Sequence, residues 1–405
     1  MRILQIYKDY PPVLGGIEGH LRDLCEGLAA RGHEVTALVT SLDARTRIER
    51  PRPGLAVLRA ARAAHAASTP LSLAMLSLAR AARADVVHLH FPYPPGDLAT
   101  LAVPGAPPLV VTYHSDIVRQ RTLLRLYRPL LALTLRRAAR IIATSDNYVK
   151  SSPFLRPHAA KCAVVPLGVD VRRFAPADER PTTNEQRRPA AESQVSVQEH
   201  DESPPPAHSS FVVRRSSPTI LFVGRLRYYK GLHLLLEAMP RVDATLLIAG
   251  SGPEQGRLAA QAAALGVAGR VRFLGDVPDE ALPALYRAAD VFVLPAHLRA
   301  EAFGIALAEA LASGLPCVST ALGTGTSFAN LHGVTGLVVP PGDPQALAGA
   351  LNTLLDNPAL RARYGQAARQ RALELLSQEK MLDGVEAVYK TLIVKGEGQG
   401  GQSPP

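Results

Sequence analysis

Glu301 and Glu309 lie in the run EAFGIALAEALASGLP, with seven residues between them. A helix should begin near Phe303 or Gly304 and end at Gly314 and Pro316. One carboxylate then precedes the helix and the other stands on its second turn, about 12 Å along at ~1.5 Å per residue. The amides of the first turn, around Phe303, Gly304 and Ile305, lie between them and can bind an anion. A nucleoside diphosphate sugar offers the matching series of sugar hydroxyls, diphosphate and ribose hydroxyls. Plain amphipathic helices carry the same spacing on a solvated face, so the strand-loop-helix setting is what favours a site.

A second group, Arg225 and Lys230, follows a strand-like run in FVGRLRYYKG. Cations at the carboxyl end of a strand can neutralise a diphosphate; as isolated surface residues they would simply be solvated. Gly15 and Gly16 in PPVLGGIEGH let the backbone approach a ligand between a strand and a helix, or form an ordinary loop. The turn GSGPEQGRL at Gly250–Leu258 is one residue too long for a dinucleotide fingerprint. In TYHSD, His114 ends a strand and could hydrogen-bond a sugar or assist proton transfer, with Asp116 just beyond. His88 and His90 read as core residues of a buried strand, His90 nearer its carboxyl end. No His/Cys/Asp spacing makes a metal site. Cys25, Cys162 and Cys317 are widely separated and show no CxxC, as expected of reduced core thiols in a cytosolic protein.

The elements that would position these groups alternate. Nearly continuous apolar runs at Ile3–Tyr7, Glu34–Thr40, Val86–His90, Leu109–His114, Ile141–Ser145 and Cys162–Pro166 predict parallel strands covered on both faces. Helical patterns such as Glu18–Arg31 lie between them. A second series follows at Thr219–Gly224, Ala244–Gly250, Val271–Gly275, Val291–Pro295, Pro316–Thr320 and Gly336–Pro340. The fold class is α/β, with two doubly wound domains, 1–175 and 219–376, facing a central cleft. The intervening 176–218 is rich in Pro, Ser, Glu and Arg and should be a disordered linker or insertion. A helix over 377–392, able to pack back on the first domain, and a disordered tail, 393–405, complete the chain.

Charge is unevenly spread. Residues 1–175 carry a net +12, 176–218 a net −2 and 219–405 a net of zero. The densest basic run, IVRQRTLLRLYRPLLALTLRRAAR, contains Arg119, Arg121 and Arg125, interleaves leucines and has no acid. It predicts a basic amphipathic helix, kinked at Pro129, able to lie on an anionic membrane or face an acceptor; a core helix with an Arg-rich solvent face is the plainer alternative. Lacking aromatics beyond Tyr127, it argues against nucleic acid. No secretory h-region follows the first strand, and Ala63–Ala79 is too short and polar to span a bilayer.

Taken together, these motifs resemble the retaining, GT-B-fold glycosyltransferases of family four. The resemblance is strongest over Thr219–Asp343 and extends to GGIEGHLRDLCEGLAARGHEV, TYHSD and VPLGVDVRRF. The run STALGTGTSFANLHGVTGLVVPPGD is most similar to mannosyltransferase-type members that build bacterial surface polysaccharides, including lipopolysaccharide. The resemblance implies a GT-B fold and a metal-independent, retaining transfer of a hexose, mannose foremost, from a GDP- or UDP-linked donor to a saccharide or lipid-linked acceptor. It implies that Glu301 contacts a donor-sugar hydroxyl and Glu309 the ribose, and that Arg225 and Lys230 hold the diphosphate. Phe303, Gly304 and Ile305 would bind donor through backbone, Val277 the base, Gly15 and Gly16 the donor from the other domain, and His114 the donor sugar. No cofactor is expected, and the protein should be cytoplasmic or peripheral on the inner face of the cell membrane. A non-hydrolysing nucleotide-sugar epimerase and a non-catalytic sugar-nucleotide-binding protein are the alternatives. The segment 176–218 departs from the short crossover usual in the family.

Overall fold

The computed structural model describes residues 1–13, 15–66, 69–117, 121–176, 179 and 217–397. Arg119, nearly all of the expected linker and the last eight residues of the tail lie outside the described residues. The chain divides into two compact units: 1–168 with 323–328 and 375–405, and 169–322 with 329–374.

The first unit is built on an eight-stranded sheet. Its strands are β1 (Arg2–Ile6), β2 (Glu34–Thr40), β3 (Arg47–Arg52), β4 (Leu55–Ala60), β7 (Val86–Phe91), β8 (Leu109–Tyr113), β9 (Arg140–Ala143) and β10 (Cys162–Val164). Their order is β10-β9-β8-β7-β1-β2-β4-β3, parallel except for β3. A two-stranded hairpin, β5 (Ala64–Ala66) and β6 (Thr69–Leu71), precedes α2 (Ala74–Ala81). The helices α1 (Gly16–Ala30), α3 (Pro94–Ala102), α4 (Arg121–Arg137) and α5 (Asp146–Ser151) follow individual strands, and α13 (Gln378–Glu397) packs on α1.

Apolar continuity explains the central strands: every residue of β7 and β8 is buried, as a sheet covered on both faces requires. The hairpin and α2 account for the apolar stretch after Ala63, and among the described residues no helix is long and apolar enough to cross a membrane. The helix α4 runs through Pro129 as one element, and α13 runs to Glu397, past the expected end at 392. β3 and β4 add to the strands expected from the sequence. RIERPR is exposed at every position, and it extends only because it pairs antiparallel with β4 at the sheet edge, where charge also discourages further pairing.

The second unit has β11 (Thr219–Val223), β12 (Thr245–Ala249), β13 (Val271–Gly275), β14 (Val291–Leu294), β15 (Cys317–Thr320) and β16 (Gly336–Val339). Helices α6 (Leu232–Ala238), α7 (Gln255–Ala264), α8 (Leu282–Ala288), α9 (Ile305–Ala312), α10 (Thr326–Ala329), α11 (Pro344–Leu355) and α12 (Pro358–Leu375) alternate with them. All strands are parallel, in the order β13-β12-β11-β14-β15-β16. This is the doubly wound order, and its direction reverses between β11 and β14. Ligands of such sheets bind beyond the carboxyl ends of the strands at that reversal. Strands expected from the sequence lie within two residues of those observed. Cys25 and Cys317 are buried, Cys162 is half-buried, and all three are free thiols.

Candidate functional site

Two loops meet at the reversal point of the second unit. One leaves β11 and carries Gly224, Arg225 and Lys230; the other leaves β14 and carries Glu301 before α9 begins. They are joined backbone to backbone. His297 donates its N–H to the Tyr229 carbonyl at 3.1 Å. Gly231, at φ 73°, passes so close to Pro295 that a Cβ would lie 1.9 Å from its carbonyl oxygen. Only glycine fits there, because both the conformation and the contact exclude a side chain.

This closure presses Lys230 Nζ against Glu301 Oε2 at 2.5 Å, with 12% and 8% of the two side chains exposed. Burial works against the Lys230 charge, but the neighbouring Glu301 carboxylate outweighs it and holds the ammonium above the ordinary lysine range. Gly304, at φ 82°, caps α9, and a Cβ there would meet Leu294 at 2.7 Å and Glu301 Oε1 at 3.6 Å. The Glu301 carboxylate therefore sits beside the amide end of α9, with Phe303 buried and Ile305 half-buried next to it. The positive end of the helix and the Lys230 ammonium face the same small volume.

One helical turn further, Glu309 Oε2 accepts a hydrogen bond of 2.7 Å from Tyr286 Oη, which also lies 3.1 Å from the Ala306 carbonyl. Tyr286 is fully buried on α8 and its pKa is pushed well up, first by burial and then by Glu309. No sequence pattern had marked it. Arg225 is exposed just after β11, and Val277 is half-buried after β13. The glycine turn at Gly250 and Gly252 packs on the backbone of Gly224–Leu226, where Leu226 N–H donates to the Ser251 carbonyl at 2.9 Å. Ser251 in turn donates to Asp276 at 2.8 Å. That turn is a support for the β11 loop. Lys230, Glu301 and Gly304 are thus gathered at one point, with Glu309, Arg225 and Val277 on flanking elements.

In the first unit His114 follows β8 and is buried, 4% exposed. Its Nε2 lies 2.9 Å from His90 Nδ1, and His90 Nε2 lies 2.9 Å from Gln5 Oε1. His20 of α1 packs edge-on against both rings. Burial pushes His20 down to about 4 and holds His90 and His114 well below the usual imidazole value, so the cluster is neutral at pH 7. These three are, among the described residues, the one group whose ring nitrogens come close enough to share a metal, within 4.8 Å. Both nitrogens of His90 are already engaged in hydrogen bonds, however, so the set fits an ion poorly. Asp116 is held by Tyr113 at 3.0 Å and Ser152 at 2.7 Å, a structural role. Gly15 caps α1 in an extended conformation against the Glu18 carboxylate, and Gly16 is the exposed first residue of the helix.

On α4, Leu131 and Leu135 are buried, while Leu123 and Leu126 are 50% and 79% exposed beside exposed Arg125 and Arg128. Tyr127 ties the helix to α3 by donating to the buried Asp97. Burial pushes the Asp97 carboxyl up to about 7. Arg119 and the Arg121 side chain lie outside the described residues.

Residues 14–173 match the model of Glycosyltransferase Family 4, and residues 207–371 match that of Glycosyl transferases group 1. The chain is 40% identical over 380 residues to D-rhamnosyltransferase WbpZ of Pseudomonas aeruginosa, covering 93% of this chain and 92% of that one. It is 37% identical over 404 residues to O-antigen chain mannosyltransferase C of Escherichia coli, covering 97% and 99%. The crystal structure of Anabaena HepE in complex with UDP-glucose superimposes with a TM-score of 0.72 at 19% identity, over 97% of this chain and 100% of that one. With two doubly wound sheets, a cation–carboxylate pair at the head of α9 and these relatives, the chain belongs to the group 1, family 4 glycosyltransferases and has their GT-B fold.

Proposed function

We propose that the protein transfers a hexose, with retained configuration and without a metal ion, from a nucleoside diphosphate sugar to a saccharide or lipid-linked acceptor in polysaccharide synthesis. The observation that carries this is the buried Lys230–Glu301 pair at the amide end of α9. In the transfer, the bond from the anomeric carbon to the diphosphate breaks while the acceptor oxygen bonds to that carbon. The acceptor proton passes to a phosphate oxygen. Negative charge develops on the leaving phosphate, so Lys230, Arg225 and the α9 amides supply the stabilisation. Glu301 then exchanges its partner Lys230 for a sugar hydroxyl, Glu309 takes the ribose, and Val277 lines the base. Gly15, Gly16 and His114 add contacts to the bound sugar. The names of the two relatives favour the manno configuration, since D-rhamnose is 6-deoxymannose.

The first unit supplies the rest of the proposal. Its excess charge, and the exposed leucines and arginines on α4, suit an anionic membrane surface on which a lipid-linked acceptor would lie.

The test uses GDP-mannose, UDP-glucose and ADP-glucose as donors. One of them should raise the melting temperature. In the absence of acceptor, slow transfer to water should release the sugar first as the α anomer, observable by proton NMR before mutarotation. Release of the β anomer first would refute retention, and no shift with any of the three would refute the donor class.

A further inference from the structure

Strand alternation places Gln5, His88, His90, Thr112 and His114 on one face of the first sheet: β1 Gln5 is in register with β7 His88, and β7 His90 with β8 Thr112. α13 lays Tyr389 on that face, fully buried. Six polar side chains, from four separate elements and the residue after β8, thus form one dry chain of hydrogen bonds. Its donors and acceptors set its direction. Gln5 Nε2, which can only donate, lies 3.0 Å from Tyr389 Oη. The Tyr389 proton is then free for His88 Nδ1 at 2.6 Å, and His88 Nε2–H for Thr112 Oγ1 at 2.6 Å. At its other end, Gln5 Oε1 can only accept, so His90 Nε2 carries the proton across 2.9 Å. A neutral imidazole has a single N–H. His90 Nδ1 is therefore bare, and the donor facing it at 2.9 Å is His114 Nε2–H.

His114 Nδ1 is left as a bare lone pair, buried and without a hydrogen-bond partner. A buried acceptor with nothing to accept is destabilising, and the cost is removed when a donor arrives. The reverse direction is also self-consistent. Turning the Gln5 amide over would put a proton on every nitrogen now bare, and His114 would then present an N–H. The side-chain amide of Gln5 selects between the two, and its orientation here, Nε2 toward Tyr389 Oη and Oε1 toward His90, gives the first.

We propose that Tyr389, Gln5 and His90 are positioning residues that hold His114 as its Nε2–H tautomer, so that Nδ1 accepts a hydrogen bond from a hydroxyl of the bound sugar. This rests on the reading of His114 as a sugar contact. The C-terminal helix thereby acts on ligand recognition through a chain of four side chains, Tyr389, Gln5, His90 and His114, without touching the ligand.

The full chain labelled with ¹⁵N-histidine tests the tautomer directly, the His114 signals being assigned by their loss in His114→Gln. Nδ1 should resonate as an unprotonated and Nε2 as a protonated nitrogen; the opposite pattern would overturn the proposal. Tyr389→Phe and Gln5→Leu should mix the two tautomers. They should also raise KM for the nucleotide sugar about 3- to 10-fold, the worth of one neutral hydrogen bond, with a smaller change in kcat. If His114→Gln leaves KM unchanged, the sugar contact itself is wrong. If His114→Gln raises KM but neither Tyr389→Phe nor Gln5→Leu alters KM or the tautomer, the relay is wrong and the contact stands.

Discussion

Lys230 is charged, almost buried and paired with a single carboxylate. Such a pair is not a strong source of stability, because taking both ions out of water offsets most of their attraction. Its retention at the head of α9 makes sense if an anion replaces Glu301 beside Lys230 during turnover. Lys230→Ala should therefore lower turnover about 10²-fold or more, on the scale of one lost transition-state contact. Initial rates at saturating donor check this, and near-wild-type rates would remove Lys230 from the leaving-group site. Gly231→Ala tests the closure of the two loops. A Cβ 1.9 Å from the Pro295 carbonyl, at φ 73°, should destabilise the fold by about 2 kcal/mol or more, seen as a melting temperature several degrees lower. Lys230, Glu301 and Gly304 were legible in the sequence because each stands at a fixed offset from a strand or helix end. Tyr286 and Tyr389 were not. Tyr286 meets Glu309 across 23 positions and Tyr389 meets Gln5 across 384, and no local pattern records either meeting.

At the scale of elements, α1, β7 and the residue after β8 bury four histidines, His20, His88, His90 and His114, in one neutral cluster. Each has its pKa lowered by burial, His88 to about 3 and His20 to about 4. Between those values and the unfolded value near 6.5 the unfolded chain binds more protons than the folded one. Stability contributed by the cluster is therefore present above pH ~6.5 and lost as the pH falls, by up to about 1.4 kcal/mol per pH unit for each histidine. Melting curves should show a steep fall between about pH 6.5 and 4.5, made shallower by His20→Gln; a flat profile there would contradict the neutral cluster. The helix α4 carries a different expectation. Basic residues near an anionic leaflet contribute about 1 kcal/mol each and are screened by salt. The protein should sediment with anionic but not neutral liposomes, less so at high salt and in Arg125→Glu/Arg128→Glu. Equal binding to both kinds of vesicle, or to neither, would make α4 an ordinary solvated face. Apolar continuity made β7, β8, β11 and β14 legible, whereas β3 was invisible because RIERPR has no buried face of its own.

For the molecule as a whole, doubly wound topology sets where a ligand can bind and the reversal between β11 and β14 sets which loops must hold it. The gathered groups there are cations, helix amides and two carboxylates already tied to Lys230 and Tyr286. Magnesium prefers a site rich in free oxygen ligands, so turnover should survive EDTA; complete loss restored by a divalent ion would contradict this. The most direct test is calorimetric titration of GDP-mannose, UDP-glucose and ADP-glucose into the wild-type chain and Lys230→Ala. One donor should bind the wild type saturably and bind the still-folded variant about 30-fold or more weakly, as expected when one side of a buried charge contact is removed. Equal affinity for both proteins, or no binding of any donor to the wild type, would contradict a nucleoside diphosphate sugar site at Lys230 and α9.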